Sequence, residues 1–158
     1  MDQRVRVFWE QVFVDYDFNW ESIWCAHINC IKEPKINTLQ WKILSKIYAT
    51  RILLHKMKIV DDELCTRCRV KDTYEHFFFD CQDVKPLWKR VESDASIRYG
   101  VSITLTVTDI LFGYNNKSKM YLELNKEILI GKLCVGKLRY GKSYNLICMY
   151  EQELRLRK

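Results

Sequence analysis

Four residues constrain this chain more than any others: Cys65, Cys68, His76 and Cys81, in the pattern C-x2-C-x7-H-x4-C. A two-residue gap lets both thiolates of a Cys-x-x-Cys turn point at one ion. A short helical stretch from His76 to Cys81 then returns an imidazole and a third thiolate to it. Four soft or borderline donors with no fifth candidate describe a closed tetrahedral zinc site, structural and not catalytic. The competing reading is four buried residues that fall in this order without a metal. Asp72-Thr73-Tyr74-Glu75 has the pattern of a reciprocal N-cap, so a helix is expected to begin there and orient His76.

The other cysteines, Cys25, Cys30, Cys134 and Cys148, stand among apolar neighbours without close Cys or His partners in sequence and read as core residues. Seven cysteines cannot all pair. The N-terminal stretch, interrupted by Asp2, Arg4, Arg6 and Glu10, has no signal-like apolar run, and no later segment is apolar enough to span a membrane. The expectation is an intracellular protein of nucleus or cytoplasm, with its cysteines in metal binding or burial and not in disulfides.

At 158 residues, 48% of them hydrophobic and five of them Trp, the chain has enough apolar material for a packed core, which excludes disorder as its overall state. It is too short for a whole polymerase palm, kinase or barrel enzyme.

The periodicity is mainly helical. Val5, Phe8, Trp9, Val12 and Phe13 form one stripe of a helix over 2–14, and Trp20 and Trp24 share a face of a short second segment. Pro34 opens a helix to Tyr48 with Ile36, Leu39, Ile43 and Ile47 facing inward. Thr50 is the expected cap of a helix from Arg51 to Lys58, and Asp83 that of a helix with Pro86 in its first turn. Ser102 to Val107 suggests a short extended stretch; Thr108 is placed to cap a turn that Gly113 ends. A long helix is expected from Lys119 to Tyr140, where Gly131 and Gly136 mark close helix packing, and Ser143 could cap a last helix. The fold class expected is mainly α: a helical domain with a small Cys3His zinc-binding module. Its divisions are an N-terminal helical segment 1–31, a zinc-binding domain 32–98 and a C-terminal helical tail 99–158.

Charge is segregated: the net value of +6 divides into −3 over residues 1–31, +6 over 32–71, −2 over 72–118 and +5 over 119–158. Three thiolates on a dication leave the zinc site at a net −1, so it attracts no phosphate itself. Any nucleic-acid contact is assigned to Lys42, Lys46, Arg51, Lys56, Lys58, Arg67, Arg69 and Lys71, unless this excess is only a solvated face. Trp41, Tyr74 and Phe77 to Phe79 could stack on single-stranded bases, or form a mini-core around the metal with one of them exposed.

Trp20-x3-Trp24, Lys35 to Tyr48, Cys65-x2-Cys68, Glu75-His76-Phe77, Cys81 and Leu87-Trp88 together resemble the reverse-transcriptase zinc-binding domain, which follows the polymerase in proteins of non-LTR, LINE-type retrotransposons. A weaker similarity to the C-terminal tail of vertebrate, fish-like elements continues through Ile110 to Gly113 and Ile128 to Lys132. The resemblance implies zinc on Cys65, Cys68, His76 and Cys81, a role in holding RNA or DNA, single-stranded or structured, and the polymerase domain as a further partner. The expected function is a zinc-stabilised nucleic-acid-binding accessory domain, present without polymerase or endonuclease. The alternatives are a structural, protein-docking module or a non-functional remnant of such an element. No membrane partner and no chemistry of its own are expected. Ile59-Val60-Asp61-Asp62 lacks the aromatic and the strand partner that a metal-binding polymerase hairpin needs and reads as a loop, while His27 and His55 are isolated.

Overall fold

In the computed structural model, which describes residues 1–141 and 145–158, the fold is mainly α-helical and no strand occurs among those residues. The helices are α1 (Gln3–Val12), α2 (Trp20–Cys30), α3 (Pro34–Leu44), α4 (Arg51–Lys56), α5 (Lys85–Tyr99), α6 (Val107–Phe112), α7 (Lys119–Tyr140) and α8 (Leu146–Arg155), with a π-helical turn at His76–Asp80 between α4 and α5. The expected cap Ser143 lies outside the described residues; Asn145 caps α8 instead, its side chain accepting from the Cys148 amide at 3.1 Å. None of these helices is long and apolar enough to cross a membrane.

The core is organised around α7. Its 22 residues make a rod of about 33 Å, and from Leu124 to Leu138 nearly every side is buried. Such a helix must be enclosed by others, and α7 packs against α2, α3, α5, α8 and the π-helical turn. Close approach is set by the two glycines the periodicity singled out: a Cβ on Gly131 would stand 2.7 Å from two ring carbons of Trp88 on α5, and one on Gly136 would overlap the Tyr48 hydroxyl.

A second cluster gathers rings around Phe112 of α6: Trp9, Phe13, Tyr16, Phe18 and Trp20 all lie with centroids 5.2–6.4 Å from it. The indoles that enter the core keep their N–H groups satisfied, Trp9 on the Leu44 carbonyl at 2.9 Å and Trp88 on the Phe78 carbonyl at 2.6 Å.

Several local expectations are corrected. Helix α3 stops at Leu44 because Lys46 adopts a left-handed φ of 60°, and the Lys46 and Ile47 amides turn back onto the Ile43 and Lys42 carbonyls. Lys58, at φ 59°, ends α4 in the same way through the His55 and Leu54 carbonyls. Ile47 is consequently 47% exposed instead of inward. Helix α1 ends at Val12, which is itself exposed. Thr106, not Thr108, caps α6, in a reciprocal arrangement with Asp109, and residues 102–106 form no strand. Helix α5 has no side-chain cap; Asp83 is drawn to Arg67 instead. Cys134 is buried and Cys30 half-buried, but Cys25 and Cys148 are exposed, so apolar sequence neighbours did not place those two in the core.

Candidate metal centre

The Cys-x-x-Cys segment is a tight hairpin. Leu64 and Lys71 form an antiparallel bridge, the Cys65 amide donates to the Val70 carbonyl at 2.8 Å, and the Arg69 amide donates to the Cys65 carbonyl at 2.9 Å. Arg69 closes this loop at φ 57°, a conformation that costs an ordinary side chain about 1–2 kcal/mol.

The second ligand pair comes from the π-helical turn. Residues five apart on an α-helix diverge by about 140° around the axis, which would turn His76 and Cys81 away from each other. In the wider turn the Cys81 amide donates to the His76 carbonyl at 2.9 Å, five residues back, and both side chains reach the same point. Thr73, not Asp72, caps the segment, its hydroxyl accepting from the His76 amide at 3.2 Å. Asp72 is fully buried and turns to α4, where it accepts from the Arg51 amide at 2.9 Å.

The four predicted ligand atoms are thereby brought together, all within 4.8 Å of one another. Tetrahedral zinc–sulfur bonds separate two sulfurs by about 3.8 Å, and the sulfurs of Cys68 and Cys81 stand 3.8 Å apart. His76 is buried, and its Nε2 has no hydrogen-bond partner among the described residues, the kind of orphaned atom that a metal–nitrogen bond satisfies.

The electrostatics ask for a cation. Burial raises the Cys65 thiol, but the Cys68 and Arg67 amides, His76 and Arg139 outweigh it and bring it down to about 6. Cys81 is pushed up to about 12, by burial first and also by the charge on Cys65. The surroundings thus favour the thiolate at Cys65 and disfavour it at Cys81, where a bound dication would supply the missing positive charge. A metal ion bound here would lock the hairpin to the π-helical turn, leaving no open position for chemistry.

The eight predicted nucleic-acid contacts separate into two groups. Arg51 and Arg69 share Asp62, Arg67 pairs with Asp83 and Lys71 with Glu63, so half of the basic set faces carboxylates, four cations to three. Among the described residues, Lys42, Lys46, Lys56 and Lys58 form no ion pair; Lys46 lies 3.1 Å from the Phe8 ring centroid. Of the candidate stacking rings, Tyr74, Phe77 and Phe78 are buried, Phe79 is half-buried, and Trp41 is exposed. Asp62, from the rejected polymerase-like motif, is a turn residue whose carboxylate accepts from the Leu64 amide at 2.9 Å.

Arg139 escaped the sequence reading. It sits in the last turn of α7, and nothing about a basic residue there distinguishes it from one that merely complements the helix dipole.

The sequence profile of a family described as zinc-binding in reverse transcriptase matches residues 4–88, a span that holds all four ligand residues. No curated protein and no solved structure matches the chain. With more than half of its length matched and the Cys3His cluster assembled inside the match, the chain belongs to the reverse-transcriptase zinc-binding family.

Proposed function

We propose that this chain is a zinc-stabilised, non-catalytic accessory domain that binds single-stranded or structured RNA or DNA beside a reverse transcriptase. Zinc is favoured by the donor set of three sulfurs and one nitrogen, by sulfur spacing that suits zinc–thiolate bonds and by the family's description. The observation that carries the nucleic-acid reading is the stretch 41–59, where Lys42, Lys46, Lys56 and Lys58 form no ion pair among the described residues and the ring of Trp41 is exposed. Free cations supply the salt-dependent phosphate attraction, and a stacked base adds about 1–3 kcal/mol on an exposed ring.

The test is fluorescence anisotropy with a labelled single-stranded RNA and its DNA counterpart across a salt series. Four phosphate contacts give a log–log slope of about −3. Lys42, Lys46, Lys56 and Lys58 replaced together by alanine should flatten that slope. The same change at Arg67, Arg69 and Lys71 should leave most of it. Absent binding at low salt, or an affinity indifferent to salt, would refute the reading.

The second reading, docking onto a polymerase domain, draws on the same region. Ile47, Met57 and Ile59, each next to one of these lysines in sequence, are all about half exposed or more, at 47%, 58% and 61%. Loss of polymerase association on replacing these three with serine, with nucleic-acid affinity unchanged, would favour docking.

A further inference from the structure

We propose that Arg139 is an outer-sphere clamp of the metal centre, through which α7 and the bound metal stabilise each other. The proposal rests on the metal reading above and concerns a residue that lies well beyond the matched span of 4–88. Its side chain is 8% exposed. Nη1 donates to the Cys65 sulfur at 3.0 Å and lies 3.8 Å from the Cys81 sulfur. Nη2 pairs with Asp72, and the group sits 4.4 Å from the centroid of the Phe77 ring, next to the ligand His76.

The charges make sense only as a set. Three thiolates, one neutral imidazole and a dication leave the centre at a net −1, next to a buried Arg139–Asp72 pair. The guanidinium stands between two anions, the centre and Asp72, and reduces their joint charge from −2 to −1; its hydrogen bond draws electron density from the Cys65 sulfur, which lowers that sulfur's reactivity toward electrophiles. Asp72 holds the guanidinium in place and also accepts from the first amide of α4. The arrangement therefore joins the hairpin, α4 and the end of α7 at one point. A bound metal would fix the Cys65 and Cys81 sulfurs in place, so removing it frees the acceptors that Arg139 faces and leaves Asp72 as its anchored partner. By reciprocity, whatever α7 contributes to holding the metal, the metal contributes to holding α7.

The experiment compares the wild-type protein with Arg139→Met and Arg139→Lys, measuring zinc affinity by competition with a chromogenic chelator and the thiolate-to-metal absorption of the cobalt-substituted forms. Arg139→Met should weaken zinc by about 10–100-fold and shift the cobalt–thiolate band. Arg139→Lys, which keeps the charge but cannot bridge sulfur and carboxylate with a planar fork, should fall between. The Lys variant carries the test if the Met variant does not fold. Hydrogen exchange at the C-terminal turn of α7 should accelerate on metal removal in wild type. A wild-type protein that takes up one metal, with both variants matching it in affinity and cobalt spectrum, overturns the clamp alone. A wild-type protein that takes up no metal overturns the metal reading and the clamp with it.

Discussion

Replacing Gly131 with alanine adds one methyl group where α7 meets Trp88 of α5, and the outcome turns on two opposed terms. In an open helix the change stabilises by about 1 kcal/mol, because glycine is the poorer helix former. Here the new Cβ would stand 2.7 Å from Cη2 and Cζ3 of Trp88, whereas carbon contacts sit at about 3.5–4.0 Å. The ring must move by about 1 Å, yet it is 3% exposed and anchored by its N–H to the Phe78 carbonyl at 2.6 Å. Overpacking of this kind costs about 1–3 kcal/mol, so Gly131→Ala is expected to be neutral to about 2 kcal/mol destabilising. Because Phe78 belongs to the turn that carries His76, displacement of Trp88 should also loosen the metal centre. Urea unfolding, with zinc held in constant excess, measures the difference. In a Trp88→Phe background, where the outer ring is gone, Gly131→Ala should recover about 1 kcal/mol of stabilisation. The reasoning is refuted if Gly131→Ala stabilises equally in both backgrounds.

Lys58 is exposed and holds a left-handed φ of 59° at the end of α4; Lys58→Gly should raise the urea midpoint by an amount equivalent to about 1 kcal/mol. Lys46→Gly should gain less, because its ammonium lies 3.1 Å from the Phe8 ring centroid. A pH dependence follows from the buried basic groups around the small cavity between α2, α3 and α7, where Lys132 donates to the Gln40 side chain near His27. Burial brings Lys132 down from 10.5 to about 7, and burial, then the charge of Lys132, brings His27 down from 6.5 to about 4. Both groups hold fewer protons folded than unfolded, so stability rises with pH. The Lys132 contribution is lost as pH falls from 10.5 to about 7 and the His27 contribution as it falls from 6.5 to about 4, at a slope of up to about 1.4 kcal/mol per pH unit for each group. Stability of Lys132→Met, followed by urea unfolding between about pH 7 and 9.5, should lose that slope; an unchanged slope would contradict the assignment.

What the sequence made legible was what local spacing controls. The ligand set could be read because Cys-x-x-Cys and the His76–Cys81 interval are short, and Gly131 and Gly136 stood out because glycine inside a helix needs a reason. The five-residue step from His76 to Cys81 also carried a signal of the π-helical turn, since an α-helix cannot aim both residues at one ion. Other features depend on competition between partners far apart in the chain. Asp72 and Asp83 had the right identity to cap their nearest helices, but Arg139 and Arg67 were better partners. Helices α3 and α4 ended early on lysines in a conformation that favours glycine, so no residue type announced the stop. Cys25 and Cys148 had apolar sequence neighbours but lie on helix faces left uncovered by the fold.

The central claim is that Cys65, Cys68, His76 and Cys81 hold one zinc ion that ties the hairpin to the π-helical turn. Metal analysis of protein purified without chelator, joined to X-ray absorption at the zinc edge, tests it directly. The account predicts about one zinc per chain with three sulfurs at about 2.3 Å and one nitrogen at about 2.0–2.1 Å, and loss of that zinc from the Cys65→Ser, Cys68→Ser double variant. A stably folded chain with no zinc, or a double variant that keeps it, would contradict the account.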